Sequence, residues 1–161
     1  MLMSPIKHTI ERRFMAKKTN SCVFCNIVAG KAPAYILHED DHSLCILDIQ
    51  PFTKAHCLVI PKRHVTWWYE LTVQENESLF RIARIVSQKI MKEYKPDFVC
   101  MYARGKRIPH THIFLVPSYS GDILDRFFNT LEGVQESSVE LAKLRDKNVL
   151  AEVAQTLKAD D

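Results

Sequence analysis

Apolar residues cluster along this chain in short, branched runs, broken by one long segment of helical period. Cys22 to Ala29 predicts a short helix closed by Gly30, with Pro33 just beyond it. Ala34–His38 and Ser43–Leu47 predict a hairpin turned by Glu39-Asp40-Asp41, after which Asp48-Ile49-Gln50-Pro51 leaves the sheet. Cys57-Leu58-Val59-Ile60 is an unbroken apolar run, read as a buried strand that Pro61 stops. Thr72 and Glu75 carry the spacing of a capping box. Behind them Leu79, Ile82, Ala83, Val86 and Ile90 fall on one helical face, and this helix ends near Tyr94-Lys95-Pro96. Phe98–Tyr102 and His110–Val116 predict another antiparallel pair.

The last quarter reads as two helical pieces, the first from Asp122 to Leu131. The second starts at Ser137, with Ser137 and Glu140 as a second box, and carries Leu141, Leu144, Val149, Leu150, Val153 and Leu157. Strands and helices mix without strict alternation, which predicts an α+β fold with a mostly antiparallel sheet. The apolar stripe of the last helix is more than a small sheet covers alone, and a partner subunit is one answer. No internal repeat or low-complexity segment interrupts the pattern.

Composition narrows the picture. With 161 residues, 47% hydrophobic and 25% charged, the chain suits one globular domain with a substantial core. No apolar run approaches the ~18 residues of a membrane span, and the first twenty residues lack the apolar centre of a signal peptide. Of the net charge of +3, much sits in residues 1–20, where Lys7, Arg12, Arg13, Lys17 and Lys18 face Glu11 alone. That segment is expected to be a frayed basic tail, with Met15-Ala16-Lys17-Lys18 as an alternative start. Beyond it the balance is near neutral, so no basic face argues for a nucleic-acid partner. Five cysteines, an odd number, fit a reducing, cytoplasmic setting better than a disulfide scaffold. Cys45, Cys57 and Cys100 sit among apolar neighbours and read as core, whereas Cys22 and Cys25 form a C-x-x-C pair.

The candidate chemistry starts at Pro109-His110-Thr111-His112. In a strand, residues two apart share a face, so both imidazoles are expected together, with Thr111 and Ile113 turned away. The pair suits a metal site, a reaction at a substrate, or two hydrogen-bonded core histidines. Zinc takes about four nitrogen or sulfur donors. Cys22 and Cys25 supply two, and the others must come from histidines far along the chain. A redox role is the alternative for C-x-x-C. Such pairs follow a buried strand, and this one precedes the first strand, which favours metal.

His56 and His64 flank the strand from Cys57, and with them four blocks fall into a known order. These are Cys22-x-x-Cys25-x-Ile27-x-x-Gly30, Leu47-Asp48-Ile49, His56-x-Leu58-Val59-Ile60-Pro61-Lys62-x-His64, and Pro109-His110-x-His112. Over residues 22–117 the chain resembles the histidine-triad (HIT) family. The resemblance implies a compact α+β domain over residues 21–118, with a mostly antiparallel five-stranded sheet, one long central helix and a short N-terminal helix. Residues 119–161 become a divergent helical extension. It implies a homodimer and a structural Zn2+ held by Cys22, Cys25, His64 and His110. It makes His112 the nucleophile, which attacks the α-phosphorus of a nucleotide through a neutral imidazole nitrogen. His56 would stand beside it as polar support, Asp48 would bind the ribose hydroxyls, and Ile27, Leu47 and Ile49 would line the base pocket.

The match breaks at the third histidine of the family pattern, where this chain has Phe114. That histidine donates hydrogen bonds near the scissile phosphate, and losing one such donor costs about 10²–10³ in rate. The preceding loop departs too, with Lys106 where the family carries glutamine, and Arg104 and Arg107 beside it. Lys106 is expected to supply the missing stabilisation as a charge; a solvated basic loop is the alternative. The resemblance therefore implies a hydrolase or transferase acting on purine nucleoside phosphoramidates, adenylylated amines or dinucleoside polyphosphates. Its rivals are a zinc-containing nucleotide-binding protein that has lost most catalysis, and a small zinc-held interaction module.

Overall fold

A computed structural model describes residues 22–158; the basic tail expected over residues 1–20 and the alternative start at Met15 lie outside them. Helix α1 (Val23–Val28) leads into strands β1 (Ile36–Glu39), β2 (Ser43–Leu47) and β3 (Cys57–Pro61). Helix α2 (Val73–Tyr94) follows, then β4 (Phe98–Ala103), β5 (Ile113–Ser118) and helices α3 (Ile123–Ser137), α4 (Val139–Ala142) and α5 (Lys147–Leu157). All strand pairings are antiparallel, in the order β1-β2-β3-β5-β4. This is the α+β, five-stranded arrangement expected.

Strand alternation divides the core in two. Cys45, Cys57, Val59 and Leu115 face α2 and pack on Leu79, Ile82, Val86 and Ile90. Leu44, Ile46, Leu58 and Ile60 point the other way and pack under α1 through Phe24. Both faces are covered, which is why β3 is an unbroken apolar run in an antiparallel sheet. Truncating a fully buried member such as Leu79 or Ile82 to alanine costs about 2–5 kcal/mol.

Helix α2 begins as expected. The Thr72 hydroxyl accepts from the Glu75 amide at 3.3 Å, and the Glu75 carboxylate accepts from the Thr72 amide at 2.8 Å. It ends at Lys95, which adopts the left-handed conformation with φ 51°. Three boundaries differ from expectation. Pro61 belongs to β3, paired with Ser43. His110–His112 precede β5, because the His110 amide donates to Ile108 and the Thr111 amide to Val65 rather than to a neighbouring strand. Helix α3 runs through Ser137, whose hydroxyl bonds back to Gly133, so Ser138 is the cap of α4 in place of the expected Ser137 box. The last helix also breaks at Lys143–Arg145 and restarts at the Asp146 cap. Along α3–α5 only Leu124 is buried, and Phe127, Leu131, Leu150 and Val153 are exposed.

Candidate metal centre and active site

The N-terminal turn places Cys22 at the head of α1 and Cys25 one turn later, on the same side. The loop after β3 brings His64, and the approach to β5 brings His110. The four donor atoms lie within 4.8 Å of one another. The Cys25 sulfur is 3.2 Å from His64 Nδ1, and His110 Nδ1 is 3.5 Å from the Cys22 sulfur and 3.6 Å from that of Cys25.

The surroundings prepare these groups as ligands. His110 Nε2 donates to the Pro61 carbonyl at 2.9 Å, so Nδ1 keeps its lone pair toward the two thiols. Burial pushes the His110 imidazole down to about 4, further helped by His64 and His112 and opposed by the Pro61 bond. It is therefore neutral at physiological pH. Burial and the adjoining Cys22 thiol raise Cys25 to about 11. Two neighbouring thiolates need a cation between them, and two sulfurs with two imidazole nitrogens make a donor set that suits zinc. The expected quartet is assembled in space, although nearly ninety residues separate its ends.

His112 has the tautomer that nucleophilic chemistry needs. Its Nδ1 donates to the His110 carbonyl at 2.7 Å, which leaves Nε2 as the nitrogen with a lone pair. The ring meets Phe24 at 5.2 Å and Phe114 at 4.9 Å between centroids. It is buried against these, yet borders an open cavity of about 290 Å³. Trp67, Trp68, Arg104, Lys106 and Thr111 also border that cavity. Lys106 and His112 thus border one space. Thr111 borders it too, 2% exposed, in a segment that precedes β5 and does not follow its alternation.

The remaining predicted residues are more scattered. His56 Nδ1 accepts from the Phe52 amide at 3.2 Å, and its ring stacks on Phe52 at 5.4 Å. Its Nε2 faces Asp48 Oδ2 at 3.6 Å, beyond hydrogen-bond length. Burial lowers the His56 pKa, and Asp48 opposes this. The Phe114 ring neighbours both His56, at 5.7 Å, and His112. Asp48 Oδ1 accepts from the Gln50 amide at 2.7 Å, closing the turn after β2. Ile27 packs in the cluster of α1 with Ile46 and Phe114. Leu47 packs on the opposite face, with the α2 core, and Ile49 is 86% exposed. The structure therefore does not bring Leu47 or Ile49 beside Ile27; alternation along β2 makes Ile46 its neighbour.

Sequence reasoning missed Trp67, Trp68 and Tyr69. Three consecutive aromatics, beginning three residues after His64, were the available signal. It also missed Tyr102, which stacks on Phe114 at 4.6 Å across the β4–β5 pair.

Comparison with known proteins follows this geometry. The HIT domain family model matches residues 29–121. The chain is 34% identical over 104 residues to Protein hit of Bacillus subtilis, covering 62% of this chain and 72% of that one. It is 36% identical over 110 residues to adenylylsulfatase HINT3 of Arabidopsis thaliana, covering 65% of this chain and 56% of that protein. Among solved structures, a HIT family member from Bacillus subtilis aligns with a TM-score of 0.64 at 26% identity, over 87% of this chain and 99% of that one. A zinc-bound histidine triad family protein from Mycobacterium smegmatis aligns with a TM-score of 0.59 at 27% identity, over 71% and 98%.

Proposed function

This chain belongs to the HIT family, and from that premise we propose that it is a nucleotide hydrolase or transferase working through His112. Its substrates are nucleoside phosphoramidates, adenylylated amines or dinucleoside polyphosphates, attacked at the α-phosphorus. The observation that carries the reading is the bond from His112 Nδ1 to the His110 carbonyl, which fixes Nε2 as the free nitrogen beside a cavity with two cations.

The Nε2 lone pair forms a P–N bond, and the bond from phosphorus to the leaving atom breaks. The electron pair departs with the leaving group, which takes up a proton from solvent when it is an amine. Developing imidazolium charge is spread toward the His110 carbonyl through Nδ1–H. Water then forms a new P–O bond, the P–N pair returns to Nε2, and the water's proton passes to solvent. Lys106, with Arg104, holds the phosphate oxygens. Asp48 takes the ribose hydroxyls and Ile27, with Ile46 beside it, supports the base. His56 positions Asp48 and the Phe52 turn.

Cys22, Cys25, His64 and His110 would hold Zn2+ as a closed structural cross-link, tying α1 to the sheet next to the nucleophile. The homodimer implied by the family resemblance, and the cytoplasmic setting that the five cysteines suggest, belong to the same reading. Phe114 supports a second one, a nucleotide-binding protein of weak activity, because its ring offers no donor beside His112.

The test is incubation with adenosine 5′-phosphoramidate, followed by intact mass measurement. A nucleotidyl adduct on the wild-type chain and none on His112→Ala is the expected result. Tight AMP binding with no adduct under any condition favours the binding protein.

A further inference from the structure

The cavity beside His112 has a composition of its own. Ile27, Leu47, Asp48 and Ile49 do not border it. Its walls come from two loops, Thr66–Tyr69 after β3 and Ala103–Lys106 ahead of β5. Trp67 and Trp68 are 41% and 49% exposed there. The Trp67 ring lies parallel to Tyr69 at 6.1 Å, and Trp68 meets Tyr69 edge-on at 5.9 Å. Exposed indoles at the lip of a cavity offer flat faces for a planar ligand. Arg104 and Lys106 have no acidic partner among the described residues.

The aromatic wall is braced. Arg63 donates to both carboxylate oxygens of Glu75, at 2.6 and 2.7 Å, and to the Glu70 carbonyl at 3.3 Å. The Glu70 carboxylate in turn accepts from the Trp67 amide at 3.3 Å. Gly105 joins the two loops: a Cβ there would lie 3.3 Å from the Thr66 carbonyl and 3.5 Å from the Trp67 ring. Rigid walls of this kind lose little entropy when a ligand binds. The volume of about 290 Å³ sits at the low end of the ~300–1,000 Å³ of whole small-molecule sites. That is room for one end of a substrate rather than for the whole of it.

We propose that this cavity is the leaving-group subsite, selecting leaving groups in which phosphate is followed by a planar ring. The proposal rests on nucleotidyl transfer at His112. When the P–O bond breaks, the electron pair stays on the leaving phosphate oxygen, and Arg104 and Lys106 neutralise it. The indoles stack on the ring. Compounds with two nucleosides joined by a phosphate chain have this form. A simple amine leaves the aromatic wall unused.

Two measurements test it. In the first, kcat/KM is compared for diadenosine triphosphate and adenosine 5′-phosphoramidate, and the former is expected to be preferred. Trp67→Ala and Trp68→Ala should each lower that ratio by about tenfold, the loss of one base stack. A ratio unmoved by both variants overturns the proposal. The second needs no turnover, because these are the chain's two tryptophans and its indole emission reports on this wall alone. With AMP at saturation, ADP should quench the emission, whereas pyrophosphate and adenosine should need at least ten times the concentration. Failure of ADP to quench sinks the subsite even where His112 turns over. Quenching by ADP with no adduct on His112 keeps the pocket as a nucleotide site but overturns its assignment to the leaving group, together with nucleotidyl transfer.

Discussion

Lys106 and Phe114 together carry a prediction that goes to the chemistry of the site. If the Lys106 ammonium replaces the donor that Phe114 lacks, a histidine put back at position 114 should make Lys106 partly redundant. The Phe114 ring is 4.9 Å from that of His112, so an imidazole there reaches the same phosphate. One transition-state donor is worth about 10²–10³ in rate. Lys106→Ala alone should therefore slow adenylylation of His112 by that factor. In a Phe114→His background the same substitution should cost no more than about tenfold, a coupling of at least 1.4 kcal/mol by the usual conversion. Phe114→His has its own structural cost. It gives up the stack on Tyr102 at 4.6 Å, worth about 0.5–1.5 kcal/mol, and should lower the denaturant midpoint accordingly.

The assay is the single-turnover rate of adduct formation from adenosine 5′-phosphoramidate, read by quenched-flow mass measurement. It isolates P–N bond formation from the later hydrolysis. Equal losses from Lys106→Ala in both backgrounds refute the reasoning, as does a Lys106→Ala rate within twofold of wild type.

Three further outcomes follow from the geometry. The purified chain should hold one zinc by elemental analysis, and Cys25→Ser should lose it and lower Tm by roughly 4–8 °C, the equivalent of about 2 kcal/mol at this size. The Glu75 carboxyl is held down to about 2 by the Arg63 fork and by bonds from Thr72, against burial. Its ordinary value is 4.5, so its stabilisation is present above pH 4.5 and is lost as pH falls through 2. Glu75→Gln should cost about 1–2 kcal/mol at pH 7, tempered by the half-exposed Arg63; denaturant titrations should show the gap to wild type closing between pH 4.5 and 2. Gly105→Ala should push the Trp67 ring, since the Thr66 carbonyl at 3.3 Å is backbone and yields less. Its stability cost should be about 1 kcal/mol, with a several-fold drop in kcat/KM for diadenosine triphosphate.

Much of the frame is legible in the chain because its signals are local. The capping box at Thr72, the helical spacing from Leu79 to Ile90, and the apolar run from Cys57 each describe contacts that any α+β packing must satisfy. The candidate metal ligands are legible for a different reason: the C-x-x-C pair points to a metal, and the resemblance to the histidine-triad family supplies His64 and His110. What escapes is set by partners distant in sequence. Residues 110–112 leave the strand pattern where the Thr111 amide bonds to Val65, and no periodicity within residues 109–117 encodes that bond. Leu47 and Ile46 differ by one position, and only the register of β2 against β3 decides which shares a face with Ile27.

The aromatic run at Trp67 is the most instructive case. Read alone, an exposed Trp-Trp-Tyr segment has no face and no period. It becomes a wall only when Arg63 anchors it to Glu75 and Gly105, in the loop after β4, packs against Thr66 and Trp67. The His112 tautomer is fixed by the backbone two residues away, whereas the cavity beside it is assembled from two loops nearly forty residues apart. A chain of this design can keep its reaction while changing what it accepts, because Trp67, Trp68 and Gly105 touch neither the His112–His110 bond nor the metal-site residues. Selectivity should therefore respond to Trp67, Trp68 and Gly105 separately from the rate of P–N bond formation, which is set at His112 and Lys106.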